Sequence, residues 1–202
     1  MIQNPLIYQT TTKNINFQLI SSSLELNNTA IYGTNAILDT YQSYVKIQDV
    51  KIYDIKSTSG YSFKFTTTRI EILRMNINNC SSSSRSPLMS VTLNSNLNTD
   101  GLIFKNSNIA LFKILSSQAL LQRLELYNIS SLFSVFHIYK VTNLILKNFE
   151  LGSISADNNL PILIHKSYVK EINNITLSKI NQQPITFRKS QVEMIIDTKI
   201  LL

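Results

Sequence analysis

The stretch LELYNI, Leu124 to Ile129, alternates apolar and polar residues and reaches an asparagine, Asn128, at its fifth position. A period of two marks a strand with one buried face. Asparagine tolerates the left-handed conformation that a tight bend demands. The same unit, apolar–x–apolar–x–(Asn/Asp)–x, recurs on either side. Upstream stand LIFKNS (Leu102 to Ser107), MNINNC (Met75 to Cys80), VKIYDI (Val50 to Ile55) and LELNNT (Leu24 to Thr29). Downstream stand LILKNF (Leu144 to Phe149), ITLSKI (Ile175 to Ile180) and a worn copy, MIIDTK (Met194 to Lys199). The units start at 24, 50, 75, 102, 124, 144, 175 and 194, so the steps are 26, 25, 27, 22, 20, 31 and 19 residues. A mean step of about 24 residues is that of a solenoid coil, in which like strands stack in parallel about 4.8 Å apart.

A second set of short apolar segments lies upstream in each repeat: SFKFTT, LMSVTL, LFKILS, LFSVFH, ILIHKS and ITFRKS, with YVKIQD and RIEIL between the sets. No segment of helical length carries a helical period. Ser, Asn, Thr and Gly supply the corners. The pattern resembles the right-handed parallel β-helix, the pectin-lyase-like fold, from about Leu6 to Leu202. That resemblance rests on repeat length and strand pattern, not on a catalytic motif. The expected fold is therefore all-β, a single domain over 1–202 wound as a right-handed parallel β-helix of about eight coils. Positions 1 and 3 of each unit are the expected core, among them Leu24, Ile52, Ile77, Phe104, Leu126, Leu144 and Leu177. Position 5 holds Asn28, Asp54, Asn79, Asn106, Asn128 and Asn148 in consecutive units. Their side chains are expected to form an asparagine ladder like those of known β-helices. A leucine-rich repeat is the rival fold, because LQRLELYNISSL approaches its consensus. Asn128 falls one position early for it, and the second half of each repeat reads as strand.

Of the 202 residues, 15% are charged, against about 25% in an average soluble domain. Neutral Ser and Asn make up the difference, and the aliphatic content is too high for intrinsic disorder. No apolar run approaches about 20 residues, the length of a transmembrane helix. A single cysteine, Cys80, excludes an internal disulfide framework and a cysteine-based zinc cluster. As position 6 of its unit it is expected to be a buried, inert thiol. The net charge of +7 favours polyanions in general. Lysines and arginines are nonetheless scattered, with no basic motif interleaved with aromatics, so nucleic acid is not an expected partner.

Enzymes of the fold that this chain resembles cleave acidic polysaccharides with carboxylates clustered on an outer face. The outward acids of the units are Glu25, Glu125 and Asp197. Four coils would put Glu25 and Glu125 about 19 Å apart, whereas a glycosidase pair needs roughly 5–9.5 Å. Asp49 and Arg74 occupy one place in adjacent coils and are expected to neutralise each other. Asn98-Thr99-Asp100 spells a tripeptide seen in polygalacturonases, without the Asp-Asp, Gly-His-Gly and Arg-Ile-Lys partners of that family. His137 and His165 each precede a valine by four residues, Val141 and Val169, and are expected to stack in neighbouring coils with no third metal ligand. No catalytic residue, metal or cofactor is expected. The exposed position-4 column offers Tyr53, Lys105, Tyr127 and Lys147 to a glycan by stacking and charge. Two Asn-x-Ser/Thr sequons, at Asn79 and Asn128, coincide with ladder positions. Asn27 and Asn174 remain as N-glycosylation acceptors if the chain is secreted.

The function expected is a structural or adhesive segment of a larger surface protein, binding a carbohydrate or protein partner on its flat faces or loops. A carbohydrate-active enzyme, a polysaccharide lyase or glycoside hydrolase, is the alternative, and an intracellular scaffold the third. The opening residues hold no secretory signal pattern. An extracellular or cell-surface location, or a membrane tether, would depend on regions outside this chain. A solenoid needs caps, and the segment MIIDTKILL ends in bare leucines, so the chain is expected to continue or to associate end to end.

Overall fold

Extended segments interrupted by corners, most of them Asn, Asp, Ser, Arg or Lys, build the described part of the chain. A computed structural model describes residues 17–32, 38–57, 61–83, 86–156, 160–180 and 183–201. The coil expected over residues 4–16 and the terminal Leu202 lie outside the described residues. Every named element is a strand, and the chain forms a parallel β-solenoid of about 7 turns with ~25 residues each.

Eight four-residue strands form one parallel sheet, here face 1: Phe17–Ile20, Leu38–Tyr41, Phe63–Thr66, Met89–Thr92, Phe112–Leu115, Phe136–Tyr139, Ile162–His165 and Ile185–Arg188. Most of the remainder of each turn belongs to an eleven-stranded sheet folded along its middle into faces 2 and 3, and Lys56–Ser57 pairs with Ser81–Ser82 in a separate two-stranded sheet. In the central turns one long strand crosses both faces, as in Arg69–Asn78, Asn96–Ser107, Gln118–Ser131, Asn143–Ala156 and Tyr168–Ser178.

Three columns of left-handed residues turn the chain. The first, between faces 1 and 2, holds Ser21, Gln42, Thr67, Asn94, Ser116, Lys140, Lys166 and Lys189. The second, between faces 2 and 3, holds Asn28, Asp49, Arg74, Gly101, Arg123, Asn148, Asn174 and Asp197. The third, closing face 3, holds Asp54, Asn79, Asn106, Asn128, Ser153 and Lys179. Each corner residue breaks the alternation by one place, so Ile70, Ile72, Met75 and Ile77 all point inward across the bend. Without that break, half of each long strand would turn its apolar side to water.

This geometry corrects the repeat register. Leu124 pairs with Phe149, and Phe149 with Ile175, whereas Leu144 pairs with Ala119 on face 2. The face-3 level is therefore Thr29, Val50, Met75, Leu102, Leu124, Phe149, Ile175 and Thr198. LELNNT, LILKNF and MIIDTK belong one face earlier. Both faces carry the same hexad, so a search by hexad alone cannot separate them. The irregular steps of 20 and 31 residues around LILKNF were the visible sign. LFSVFH is likewise shifted, the strand being Phe136–Tyr139.

The core is unaffected, because positions 1 and 3 point inward on both faces in every hexad except MIIDTK, whose Met194 and Ile196 are exposed. Leu24, Ile52, Ile77, Phe104, Leu126, Leu144 and Leu177 are all buried. Each such side chain contributes about 1.5–3 kcal/mol relative to exposure. Phe112, Phe136 and Phe149 bridge faces 1 and 3 through ring centroids 5.6 and 6.1 Å apart.

A hydroxyl column follows the first corner: Ser22, Ser43, Thr68, Ser95, Ser117, Ser167 and Ser190, with Val141 in the remaining turn. The Ser167 hydroxyl donates to the His165 carbonyl at 2.9 Å and accepts the Val141 N–H at 3.1 Å. Ser95 accepts the Thr68 N–H at 3.0 Å, and Ser190 that of Ser167 at 3.1 Å. These bonds satisfy buried N–H groups that the bend takes out of the strand ladder.

Candidate functional site

The asparagines chosen from sequence divide between two corners. At the third, the Asn79 amide donates to Asp54, Asn106 to Asn78 at 3.0 Å, and Asn128 to Asn106 at 2.9 Å. Asn28 and Asn148 stand at the second corner, where Asn174 donates to Asn148 at 2.8 Å. Asn174 thus spends its amide in a ladder bond. The Asn27 Oδ1 is buried without a partner among the described residues. Cys80 is buried, and burial pushes its thiol up to about 11.

The position-4 column also separates. Tyr53, Asn78, Lys105 and Tyr127 align on face 3, followed by Gly152 and Ser178. Lys147 lies on face 2, paired with Glu171 at 2.7 Å. Tyr127 leans on Gly152, where a Cβ would meet its ring at 2.8 Å. Lys105 stands 5.2 Å from the centre of the same ring and 3.5 Å from Glu125. Desolvation and a hydrogen bond to Glu150 raise the Tyr127 phenol above its ordinary range.

The corrected register puts Glu125 beside Glu150 in adjacent turns, a pair that the sequence reading missed because it placed Leu144 where Phe149 belongs. The expectation that outward acids stand too far apart is overturned for these two. Lys105 and Tyr127 already engage them, on an open sheet face.

The second corner is an ionic seam. Arg74 holds Asp49 through Nε and Nη2, both at 2.6 Å, and Arg123 holds Asp100. The Arg74 bond keeps the Asp49 carboxyl below its ordinary range. On face 2, a hydrogen bond from Tyr44 at 3.0 Å, with Arg69 at 2.8 Å, does the same for Glu71. Lys46 pairs with Glu25 at 3.1 Å.

Face 1 is different. Its outward columns run Asp39, Lys64, Ser90, Lys113, His137, Leu163, Thr186 and Tyr41, Thr66, Thr92, Leu115, Tyr139, His165, Arg188. His137 is therefore level with Leu163, and His165 with Tyr139, so the two histidines lie diagonally. The expected direct stack fails because the valines aligned them wrongly: Val141 follows a corner, while Val169 lies within face 2. Beside these columns the first corner presents Lys140, Lys166 and Lys189 in consecutive turns. Their amines at 5.3 Å (Lys140) and 5.7 Å (Lys166) flank the Tyr139 ring, which meets His165 edge-on at 5.2 Å. The other column borders a groove of about 750 Å³, in which Lys113, His137 and Arg188 lie among Tyr61, Phe133 and Leu163. Lys113 contacts the Tyr61 hydroxyl at 3.3 Å.

Among the described residues, Asp39 is the only acid on face 1, and Lys64 pairs with it at 3.3 Å. The other described acids lie on faces 2 and 3 or the corners bounding them. Lys113, Lys140, Lys166, Arg188 and Lys189 form no ion pair among the described residues. Sequence reasoning missed this patch because its members stand 23 to 27 residues apart and only stacking collects them. The lysine spacing, 140, 166 and 189, matches the repeat and was the available signal.

The chain matches no family model, and no curated protein or solved structure matches it either.

Proposed function

We propose that this protein is a non-catalytic β-solenoid module that binds a linear acidic glycan along face 1. The observation that carries the reading is the distribution of acids: among the described residues face 1 and its first corner bear one acid, Asp39, already bound to Lys64, beside five cations that have no acidic partner, while the other described acids lie on faces 2 and 3 or their corners. Unpaired cations around an aromatic ring suit carboxylate or sulfate groups joined to sugar rings. The cations rise by one turn at a time, about 4.8 Å, close to the advance of one pyranose in an extended chain. The Tyr53, Lys105 and Tyr127 column on face 3 is the weaker candidate, since Lys105 and Tyr127 are engaged with Glu125, Glu150 and each other.

The test is calorimetric titration with polygalacturonate and dextran sulfate, using neutral dextran as the uncharged control. Binding to the acidic chains should weaken as salt rises. Replacing Lys140, Lys166 and Lys189 by Gln should weaken it at least about tenfold, in line with loss of three charge contacts. Equal affinity for neutral dextran, or an unchanged affinity in the triple variant, would refute the reading.

A further inference from the structure

We propose that face 1 is a proton-linked site: His137 and His165 take up protons as an anionic chain docks, so binding tightens on acidification. This inference rests on face 1 being the anion-binding surface. Its basis is where the two imidazoles sit. His137 has Lys113 on the preceding turn, Leu163 on the following one and His165 on the diagonal. Arg188 and Tyr61 share its groove. His165 has Tyr139 on one side and Arg188 on the other, with Lys166 and Lys189 at the adjoining corner. Both therefore lie among cations that lack carboxylate partners, on the surface where Asp39 is the one described acid. Every charged neighbour acting on either imidazole is basic.

Two effects follow. In the free protein, desolvation and then the surrounding cations hold both imidazoles below the ordinary histidine range. At neutral pH they are uncharged and add nothing to the attraction. A docked sulfate or carboxylate neutralises the nearby lysines and arginine and brings negative charge beside each ring. Both changes favour the imidazolium. By linkage, a ligand that raises a proton's affinity is itself bound more tightly when that proton is present. The other groups facing the two rings are Lys113, Lys140, Lys166, Lys189, Arg188, Tyr61 and Tyr139, residue types other than histidine. The pH dependence belongs to the two histidines.

Dextran sulfate is the probe, because its sulfates stay ionised across the range and a change of affinity then reports the protein. Between about pH 7.5 and pH 5.5 affinity should rise severalfold, with a ceiling of about tenfold for each unit by which the two histidine pKa values together rise. Binding enthalpies measured in two buffers of different ionisation heat should show net proton uptake. The His137→Gln/His165→Gln variant should still bind at the higher pH but lose the pH dependence and the uptake. Independently of any variant, imidazole resonances followed by NMR should titrate at higher pH when dextran sulfate is bound. Tight binding with a flat pH profile and no uptake, or the same slope in the double variant, would overturn the proposal. Failure to bind at either pH would overturn the assignment of face 1 as well.

Discussion

Asn106 holds a backbone φ of 49° and sits between two side-chain bonds, giving to Asn78 and taking from Asn128. Two costs follow from changing it, and they can be separated. Asn106→Ala loses the bonds and adds the left-handed penalty of a Cβ residue, together about 1–3 kcal/mol. Asn106→Gly loses the same bonds but removes the penalty, so urea unfolding should find it clearly the less damaging of the two. Asn78 accepts that bond and should not be neutral when replaced by Ala. At the first corner, Ser167→Ala strips the acceptor from the buried Val141 N–H and should cost about 1–3 kcal/mol, whereas Ser22→Ala, at an exposed position, should cost under about 0.5 kcal/mol. Cys80, with its thiol pushed up to about 11, should resist thiol reagents in the native protein and react only at the rate of unfolding.

At the scale of the strand, register decides what a side chain meets. Gly152 stands in Asn143–Ala156 directly after Tyr127 in its column. Its φ lies in the ordinary region, so the constraint is contact rather than backbone: a methyl would press on the Tyr127 ring, at 2.8 and 2.9 Å from two of its carbons. Gly152→Ala should cost about 1–3 kcal/mol as an overpacked site. In Tyr127→Ala the same change should cost much less, and a double-mutant cycle of unfolding free energies measures the difference. Additive effects would show that the ring does not rest there. The bulge at Lys170, which separates the pairs Leu144–Val169 and Ile145–Glu171, carries Glu171 to Lys147.

Across the described molecule, acids are sorted by face, with Asp39 alone on face 1, and acid should act in two stages. His137 and His165 have depressed folded pKa values, so as pH falls below about 6.5 the unfolded chain binds protons first and stability drops. Asp49, held by Arg74, Glu71, held by Tyr44, and Glu171, held by Lys147, are depressed as well. Their contribution is present above the ordinary carboxylate range and is lost as pH falls through their folded values, below about pH 4. Melting temperatures across pH should show both stages, and the double histidine variant should lose the first alone. Dextran sulfate should reverse the first stage, because it stabilises the protonated face.

The hexad of alternating apolar residues by itself determined a parallel stack of strands, its inward side chains and the polar character of its corners. Those are local properties: period two selects the buried side, and Asn or Asp tolerates a left-handed bend. The burial of Leu144 and of Cys80 followed from the pattern alone. Register did not, because faces 2 and 3 write the same hexad and only the pairing of Leu124 with Phe149 separates them. From that pairing come the Glu125–Glu150 neighbours and the Tyr127–Gly152 contact, while the face-1 pairing of Phe136 with Ile162 sets the offset of His137 from His165. The cationic face was decided only by the tertiary structure. Lys140, Lys166 and Lys189 are remote in sequence, and a turn of about 25 residues returns each of them to one edge. Their charges act together because stacking sets them about 4.8 Å apart per turn, inside the Debye length of about 8 Å at physiological ionic strength.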